Sequence, residues 1–256
     1  TIPKTREPVR QVLNAEREAD MGIELVPADD FGAVAPPIDP KEIELREGLI
    51  RRIQRESQAA DARTWAYARA VIAGTGYYGV MTRYAPGKTF DQEIYVQRYF
   101  NQASVTLDPA HELPDGSDAE WAFVGTDMPW AQYQAEFPDI VKNGKRTKNH
   151  LTDADDEELR GLGEGKPGWF NLEGETKSCR VVDYFYTKRV TRELALMPDG
   201  SMFWADEVPK GVEPADMRPV IEKQIKWCKR DGVQILDKTD WPGKFIPIVK
   251  VVGDEL

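Results

Sequence analysis

Apolar positions recur at two different periods along this chain of 256 residues, and the change from one period to the other predicts most of its elements. Residues 8–20 place Val9, Val12 and Leu13 on one face behind Pro8, which suits a first helical turn, and Gly22 can close the helix. Ile23 to Val26 reads as a short strand before a loop containing Pro27, Pro36 and Pro37. The next helix is the best specified. Asp39 is its expected N-cap, Pro40 fits its first position, and Glu42 completes a start resembling a capping box. No breaker follows until Gly74, so an unbroken helix would run about 50 Å at 1.5 Å per residue. Its expected core stripe is Leu45, Leu49, Ile53, Ala60, Tyr67 and Val71, with Ala68 and Ile72 beside it. Between Gln54 and Gln58 the stripe thins, and there the helix can kink.

From Val80 onward the period shortens to that of a strand. Val80–Tyr84 and Glu93–Phe100 flank an Ala85-Pro86-Gly87 turn and read as a hairpin. Val105–Leu107 and Trp121–Val124 are short strands, and Thr126-Asp127 is expected to cap a short helix bearing Trp130, Tyr133 and Phe137. Residues 139–178 are polar and loop-rich. Alternation returns in Arg180–Arg189 and Glu193–Met197, and Pro198-Asp199-Gly200 turns the chain back into Met202–Trp204. Pro214–Arg230 reads as an amphipathic helix with Met217, Ile221, Ile225 and Cys228 on one side. Val233–Leu236 and Phe245–Val252 are expected closing strands. There is no internal repeat. Helices and hairpins fall in blocks, which predicts an α+β fold of long helices packed with antiparallel β-hairpins, not a doubly wound parallel sheet.

Composition narrows the possible functions. A 41% hydrophobic, 30% charged chain of this length predicts a folded protein of one large or two intimately packed domains. The formal charge of -10 argues against a broad grip on nucleic acid, which needs clustered Lys and Arg to displace counterions. No run of eighteen apolar residues occurs, so neither a transmembrane helix nor a membrane partner is expected. Cys179 and Cys228 form no CxxC pair and are expected as reduced thiols. The chain begins at Thr1 and ends just after an apolar strand, as a segment of something longer would.

Gly74-Thr75-Gly76-Tyr77-Tyr78-Gly79 matches the dinucleotide-binding GxGxxG letter by letter. That chemistry needs the glycines to leave a strand and open a helix, whose N-terminus then faces a pyrophosphate. Here a helix enters and a strand leaves, so Gly74 is expected to end the helix and Gly76 and Gly79 to allow tight backbone packing. Gly161-Leu162-Gly163-Glu164-Gly165-Lys166 hints at a phosphate loop. However, Arg160 stands where the frame needs Gly, and Pro167 replaces the metal-binding hydroxyl. In the acidic run Asp153, Asp155, Asp156, Glu157, Glu158, the last residue occupies the glycine position of a calcium loop; Thr152 and Asp155 read as a helix start. His111 and His150 lack companions at ligand spacing, and Ser57, Ser104, Ser117, Ser178 and Ser201 lack a nucleophile-elbow context. Lys142, Lys145, Arg146 and Lys148 form a basic loop around Asn143-Gly144, exposed or in contact with a partner subunit, a scaffold or a DNA phosphate. No catalytic, cofactor-binding or metal-ligating residue is assigned, no cofactor is expected, and the chain reads as non-enzymatic.

One ordered series of segments resembles the portal proteins of tailed bacteriophages, specifically the short-tailed type. It comprises Pro8–Asn14, Leu49–Ile53, the Gly74–Val80 junction, Phe90–Ile94, Asn101 leading to Leu107-Asp108-Pro109, Asp118–Phe123 and Trp241–Val249. The resemblance spans nearly the whole chain and is weakest from Lys142 to Lys177. It implies a homo-oligomeric ring, commonly a dodecamer, at one capsid vertex of the virion, assembled in the host cytoplasm. The implied partners are major capsid and scaffolding proteins, terminase, head-completion or tail adaptor proteins, and double-stranded DNA passing through the channel. Residues 1–256 would form the wing-like region, with tunnel loop, stem, most of the clip and distal barrel outside it. An acidic surface would then let DNA slide. The alternatives are an adaptor or binding module, and an α+β enzyme using a carboxylate pair.

Overall fold

The computed structural model of the chain describes residues 4–19, 22–26, 39–87, 89–138, 140–142, 145–146, 170–171, 178–198, 200–208, 213–231 and 235–253. Helices α1 (Arg6–Glu18), α2 (Pro40–Glu56) and α3 (Ala59–Ala73) come first, then strands β1 (Thr75–Tyr84), β2 (Gln92–Arg98), β3 (Val105–Leu107) and β4 (Trp121–Pro129). Helix α4 (Trp130–Glu136) leads to the short strands β5 (Val141–Lys142), β6 (Lys145–Arg146) and β7 (Phe170–Asn171). Strands β8 (Ser178–Leu196), β9 (Met202–Trp204), β10 (Asp216–Arg230), β11 (Ile235–Asp240) and β12 (Ile248–Val252) complete the order. All pairings among the described residues are antiparallel, so the fold is α+β. The chain divides into two compact units: Thr1–Ala103 with Glu112–Ser117 and Pro247–Leu256, and Ser104–His111 with Asp118–Ile246.

In the first unit α2 starts as expected. Asp39 Oδ1 accepts from the Lys41 amide at 3.0 Å and Pro40 occupies the first turn. The helix does not continue to Ala73. Ser57 Oγ donates to the Ile53 carbonyl at 2.5 Å, and Gln58 takes a left-handed conformation (φ 52°) before α3 begins. A serine hydroxyl that bonds back to the preceding turn competes with the helical ladder, and the break falls in the thinned 54–58 segment. The expected core stripe is therefore wrong. Leu45, Leu49 and Ile72 are exposed, and the buried face is Ala59, Ala62, Ala66 and Ala70. Once the helix breaks, α2 and α3 need not share one stripe. The N-terminal helix ends at Glu18 with Ala19 as its cap, short of Gly22, and has no buried residue. Ile23–Val26 forms no strand; the Leu25 amide is satisfied by Glu47 Oε1 at 3.0 Å.

The sheet of this unit has the order β12-β1-β2. Strand β1 begins at Thr75, earlier than the expected Val80, because β12 pairs it from Thr75↔Val252 to Gly79↔Ile248. Strand β2 pairs it on the other side from Tyr78↔Arg98 to Tyr84↔Gln92, so from Val80 onward β2 is its strand partner. The expected turn closes that hairpin, with the Ala85 amide on the Asp91 carbonyl at 2.9 Å and Gly87 at φ 120°.

The second unit is a seven-stranded sheet of order β11-β10-β8-β4-β3, with β7 and β9 also paired to β8. The two strands expected at 180–189 and 193–197 are one 19-residue strand. The expected helix Pro214–Arg230 is a strand, paired to β8 from Asp216↔Leu196 to Arg230↔Val182. Met217, Ile221 and Ile225 fit a helical face, yet they are also same-side positions on a strand, and Pro219 forbids a helix interior. In the strand Pro219 is harmless. Its partner Glu193 gives its carbonyl to the Ala205 amide (2.9 Å), so the Glu193↔Pro219 pair turns its backbone polar groups outward and Pro219 owes the ladder no donor. Strand β4 runs through Thr126-Asp127, so these residues cap nothing; Pro129 precedes α4, and Asp127 instead takes a bidentate bond from Arg180 (2.7 and 3.0 Å). Trp130, Tyr133 and Phe137 do gather on α4 and its C-cap, with ring centroids 5.3 and 5.2 Å apart. Tyr133 and Asp231 are fully buried and joined by a 2.6 Å hydrogen bond from the phenol to Oδ2. The Pro198–Gly200 turn closes β8 onto β9, with Gly200 at φ 84°.

Asp183 on β8 accepts from Trp227 Nε1 at 3.1 Å. Burial pushes its carboxyl up, against the opposing charge of Lys229 and the Trp227 bond, with Glu136 adding to the rise. A raised carboxyl stabilises the fold at low pH, below the free-carboxyl value of about 3.9, and loses that contribution as pH climbs through its own higher value. Asp183→Asn keeps an acceptor for Trp227 and removes the buried charge. Thermal melts should show the variant above wild type at neutral pH, with the gap shrinking toward pH ~4.

Candidate functional site

The glycine signature sits where α3 becomes β1. Gly74 caps the helix at φ 89°, its amide on the Ala70 carbonyl at 2.7 Å, and its own carbonyl accepts from the Gly253 amide at 3.0 Å. No helix follows the glycines, so no helix N-terminus is offered to a phosphate. Gly76 and Gly79 lie inside the strand with ordinary extended backbones, and what they supply is space. A Cβ on Gly76 would stand 2.7 Å from the Ala66 carbonyl carbon, and one on Gly79 would stand 2.5 Å from the Tyr99 hydroxyl. Just past β12, Gly253 repeats the arrangement, its Cβ position 2.6 Å from the Ala70 carbonyl carbon. The alanine face of α3 thus rests backbone to backbone on the sheet.

Gln102 completes the junction. Its Nε2 donates to the Tyr77 carbonyl (3.1 Å) and the Tyr99 carbonyl (2.7 Å), and its Oε1 accepts from the Tyr77 amide. One side-chain amide so serves both backbone groups of Tyr77 that β2 does not reach. Sequence reasoning missed Gln102, since nothing in the pattern distinguishes it from a loop glutamine.

Two hollows flank this junction. One of about 550 Å³ is lined by Val12, Ala15, Arg63, Tyr67 and Tyr78; burial pushes the Tyr78 hydroxyl up, with Arg63 opposing and Asp115 adding. The other, about 770 Å³, is lined by Arg17, Asp61, Arg63, Trp65 and Arg98 among others. There Arg69 stacks on Trp65 at 4.4 Å, Arg98 stacks on Phe100 at 4.2 Å, and Trp65 meets Phe100 edge-on at 5.8 Å. Thr64 Oγ1 donates to Glu16 Oε2 at 3.1 Å, tying α1 to α3.

The remaining sequence candidates do not converge. His111 Nδ1 lies 2.5 Å from the Asp108 carbonyl oxygen in a turn organised by Asp108, whose Oδ1 and Oδ2 take the Ala110 and Glu120 amides at 3.0 and 3.2 Å. Cys179 and Cys228 are buried and form no disulfide, and burial pushes the Cys228 thiol up, the reverse of nucleophile activation. Ser57 serves the helix break, and Ser178 and Ser201 sit at opposite ends of the β8 region. Lys142, Lys145 and Arg146 lie on β5 and β6, paired Val141↔Arg146 and Lys142↔Lys145. His150, Lys148, Asn143-Gly144, the acidic run 153–158 and the stretch 160–167 lie outside the described residues. Among the described residues no three His, Cys, Asp or Glu side chains could hold a metal ion, and no helix is long and apolar enough to cross a membrane. A charge network absent from the sequence reading is centred on Arg192, which reaches Asp206 (2.7 Å), Glu207 (3.3 Å) and Glu222 (3.3 Å) and stacks on Trp204 at 4.4 Å.

These contacts rank the glycines. Gly76→Ala forces two backbones apart and should destabilise the protein by about 3 kcal/mol or more. Gly74→Ala meets open space and loses only the left-handed preference, about 1 kcal/mol. Chemical denaturation of both variants checks the order; equal, small losses would overturn the packing role.

The comparisons with known proteins bear on the same residues. No curated protein matches the chain. A family model described as phage P22-like portal protein matches residues 1–256. Segments that carry the resemblance in the sequence hold structural posts: the Gly74–Val80 junction seats α3, Asp108 organises its turn, and Trp241 packs edge-on against Phe185 at 5.5 Å. A site built for packing, matched over the whole chain by a family of structural virion proteins, leads to one assignment: the chain belongs to the phage P22-like portal protein family.

Proposed function

We propose that this chain is a wing-like segment of a portal ring subunit, a structural element at one capsid vertex through which double-stranded DNA enters and leaves the head. The observation that carries this is the family match over residues 1–256. The ring is homo-oligomeric, commonly a dodecamer, and it contacts capsid and scaffolding proteins, terminase during packaging, and head-completion or tail adaptor proteins afterwards. The chain performs no catalysis; its contribution is shape.

Net charge supports the passage of DNA. A formal charge of -10 offers phosphates few cations to exchange for counterions, so a channel wall of this composition holds DNA weakly and lets it slide. Packing alone would hold the wing in place, since the glycine junction needs neither nucleotide nor metal to close.

Electron microscopy of the full-length protein should show closed rings with a central channel, and native mass measurement should give one dominant stoichiometry. A stable monomer under all conditions would sink this reading.

A further inference from the structure

The β1–β2 hairpin has one face that this copy of the chain covers only in part, although α2 and α3 both approach β2. Gly76 points at α3, so the even-numbered side of β1 is its helix side. Helix α3 seats on that side at Gly76, but farther along Val80, Tyr84 and Ile94 are 37%, 64% and 47% exposed, and Phe90 beside the turn is 96% exposed. Val80 opposes Val96, and Thr82 opposes Ile94, so these apolar residues share one face. The other face is polar and internally paired, with Arg83 on Glu93 at 2.6 Å and over the Tyr95 ring at 4.8 Å. Pairing with β12 stops at Gly79 and the Val80 amide still reaches the Pro247 carbonyl (2.9 Å), so beyond Val80 the hairpin is two strands wide. A two-stranded hairpin with a solvated apolar face is marginal in water and gains most from a cover.

A matching surface lies on α2 of the same unit. Ile43, Glu47, Ile50 and Ile53 form its half-buried side. Leu45 and Leu49, one turn apart, are 74% and 54% exposed. Between them Gly48 leaves a shallow hollow of about 500 Å³, bordered by Lys41, Glu44 and an Arg52 already paired with Glu56, and a Cβ there would meet nothing within 4 Å. Helix α2 and strand β2 are neighbours within one copy, yet Leu45 and Leu49 stay exposed there, as do Tyr84, Phe90 and Ile94. Their charges also complement each other. Among the described residues, the Asp91 carboxylate next to Phe90 accepts only from the Thr89 hydroxyl (2.6 Å), which in return accepts from the Asp91 amide, and Lys41 has no carboxylate partner.

We propose that these surfaces are the two halves of one contact between neighbouring copies of this chain, with Phe90 and the hairpin face of one copy laid on the Leu45–Leu49 face of α2 of the next. A helix on an apolar sheet face is the usual way such a face is buried. Because the halves are different patches, the contact is heterologous and repeats from copy to copy until it closes into a ring. The inference rests on the ring reading above and names the surface that such a ring would use.

The test uses the full-length protein. Phe90→Asp disables the hairpin half; Leu45→Glu with Leu49→Glu disables the helix half. All three residues are exposed, so both variants should melt like wild type. Gly48→Phe is a further variant: it replaces a poor helix former with a better one, so it should not lower stability, yet it fills the hollow. Each variant alone should weaken copy-to-copy association at least about tenfold, roughly 1.4 kcal/mol per contact. An equimolar mixture of the Phe90 variant and the double Leu variant should give a 1:1 dimer and stop there, since only one intact contact can form. Rings that persist in the variants, or a mixture that stays monomeric, would overturn the proposed contact. Wild-type protein that never assembles removes the ring reading itself, and the contact with it.

Discussion

The first unit depends on a close approach between the backbone of α3 and the backbones of β1 and β12. Ala62, Ala66 and Ala70 recur every four residues on the buried side of the helix, and Gly76 and Gly253 stand opposite Ala66 and Ala70. With no side-chain layer between them, helix and sheet meet at near-minimal separation, where dispersion contacts are densest. Several other features follow. Gly74 must reverse the chain in a single residue, because the strand has to begin at once beneath the helix that precedes it. The returning strand β12 must be followed by a glycine at the level of Ala70, Gly253, and its amide closes on the Gly74 carbonyl. The large side chains of α3 are displaced to its flanks, where Trp65 collects Arg69, Arg98 and Phe100.

Much of this was legible where the signal is local. The Asp39-Pro40 start, the Pro86-Gly87 and Pro198–Gly200 turns and the α+β block order each depend on a few adjacent residues, and the structure keeps them. The alanine face was not legible, because small residues bury little area and leave no apolar stripe to read. Leu45 and Leu49 drew the expected stripe away from it. Strand β10 was misread for a related reason. Its faces are both partly exposed, so Lys and Glu interrupt the alternation, and Met217, Ile221 and Ile225 fall on positions common to both periods. Pro219 was the contrary local sign, and it decides correctly once weighed. The glycine signature was legible only through the order of its flanking elements, and Gln102 and Arg192 depend on registers that no single sequence displays.

The second unit solves a different problem. Strand β8 is long enough to serve β4, β7, β9 and β10 as a common partner, and beyond Tyr186 it runs with β10 as a ribbon until β9 joins at Leu194. A ribbon with open edges is exposed to unwanted strand pairing. Pro219 removes one donor from the β10 edge, and charged residues such as Lys223 and Arg189 line the same stretch. Arg192 fixes the far end by joining carboxylates from the β9 turn and from β10 to one guanidinium. Buried polar order is kept for the core, where Tyr133 and Asp231 satisfy each other.

The break at Ser57 and Gln58 has a consequence for how such a chain can change over time. In a continuous helix, the direction in which Leu45 and Leu49 point would be tied to the direction in which Ala66 and Ala70 point. The single left-handed residue at Gln58 cuts that tie. One residue gained or lost at the joint would turn α2 by about 100° about its axis and leave the alanine seat of α3 untouched. The outward surface of α2 is thus a dial that evolution can turn in steps, while the packed junction below it stays invariant.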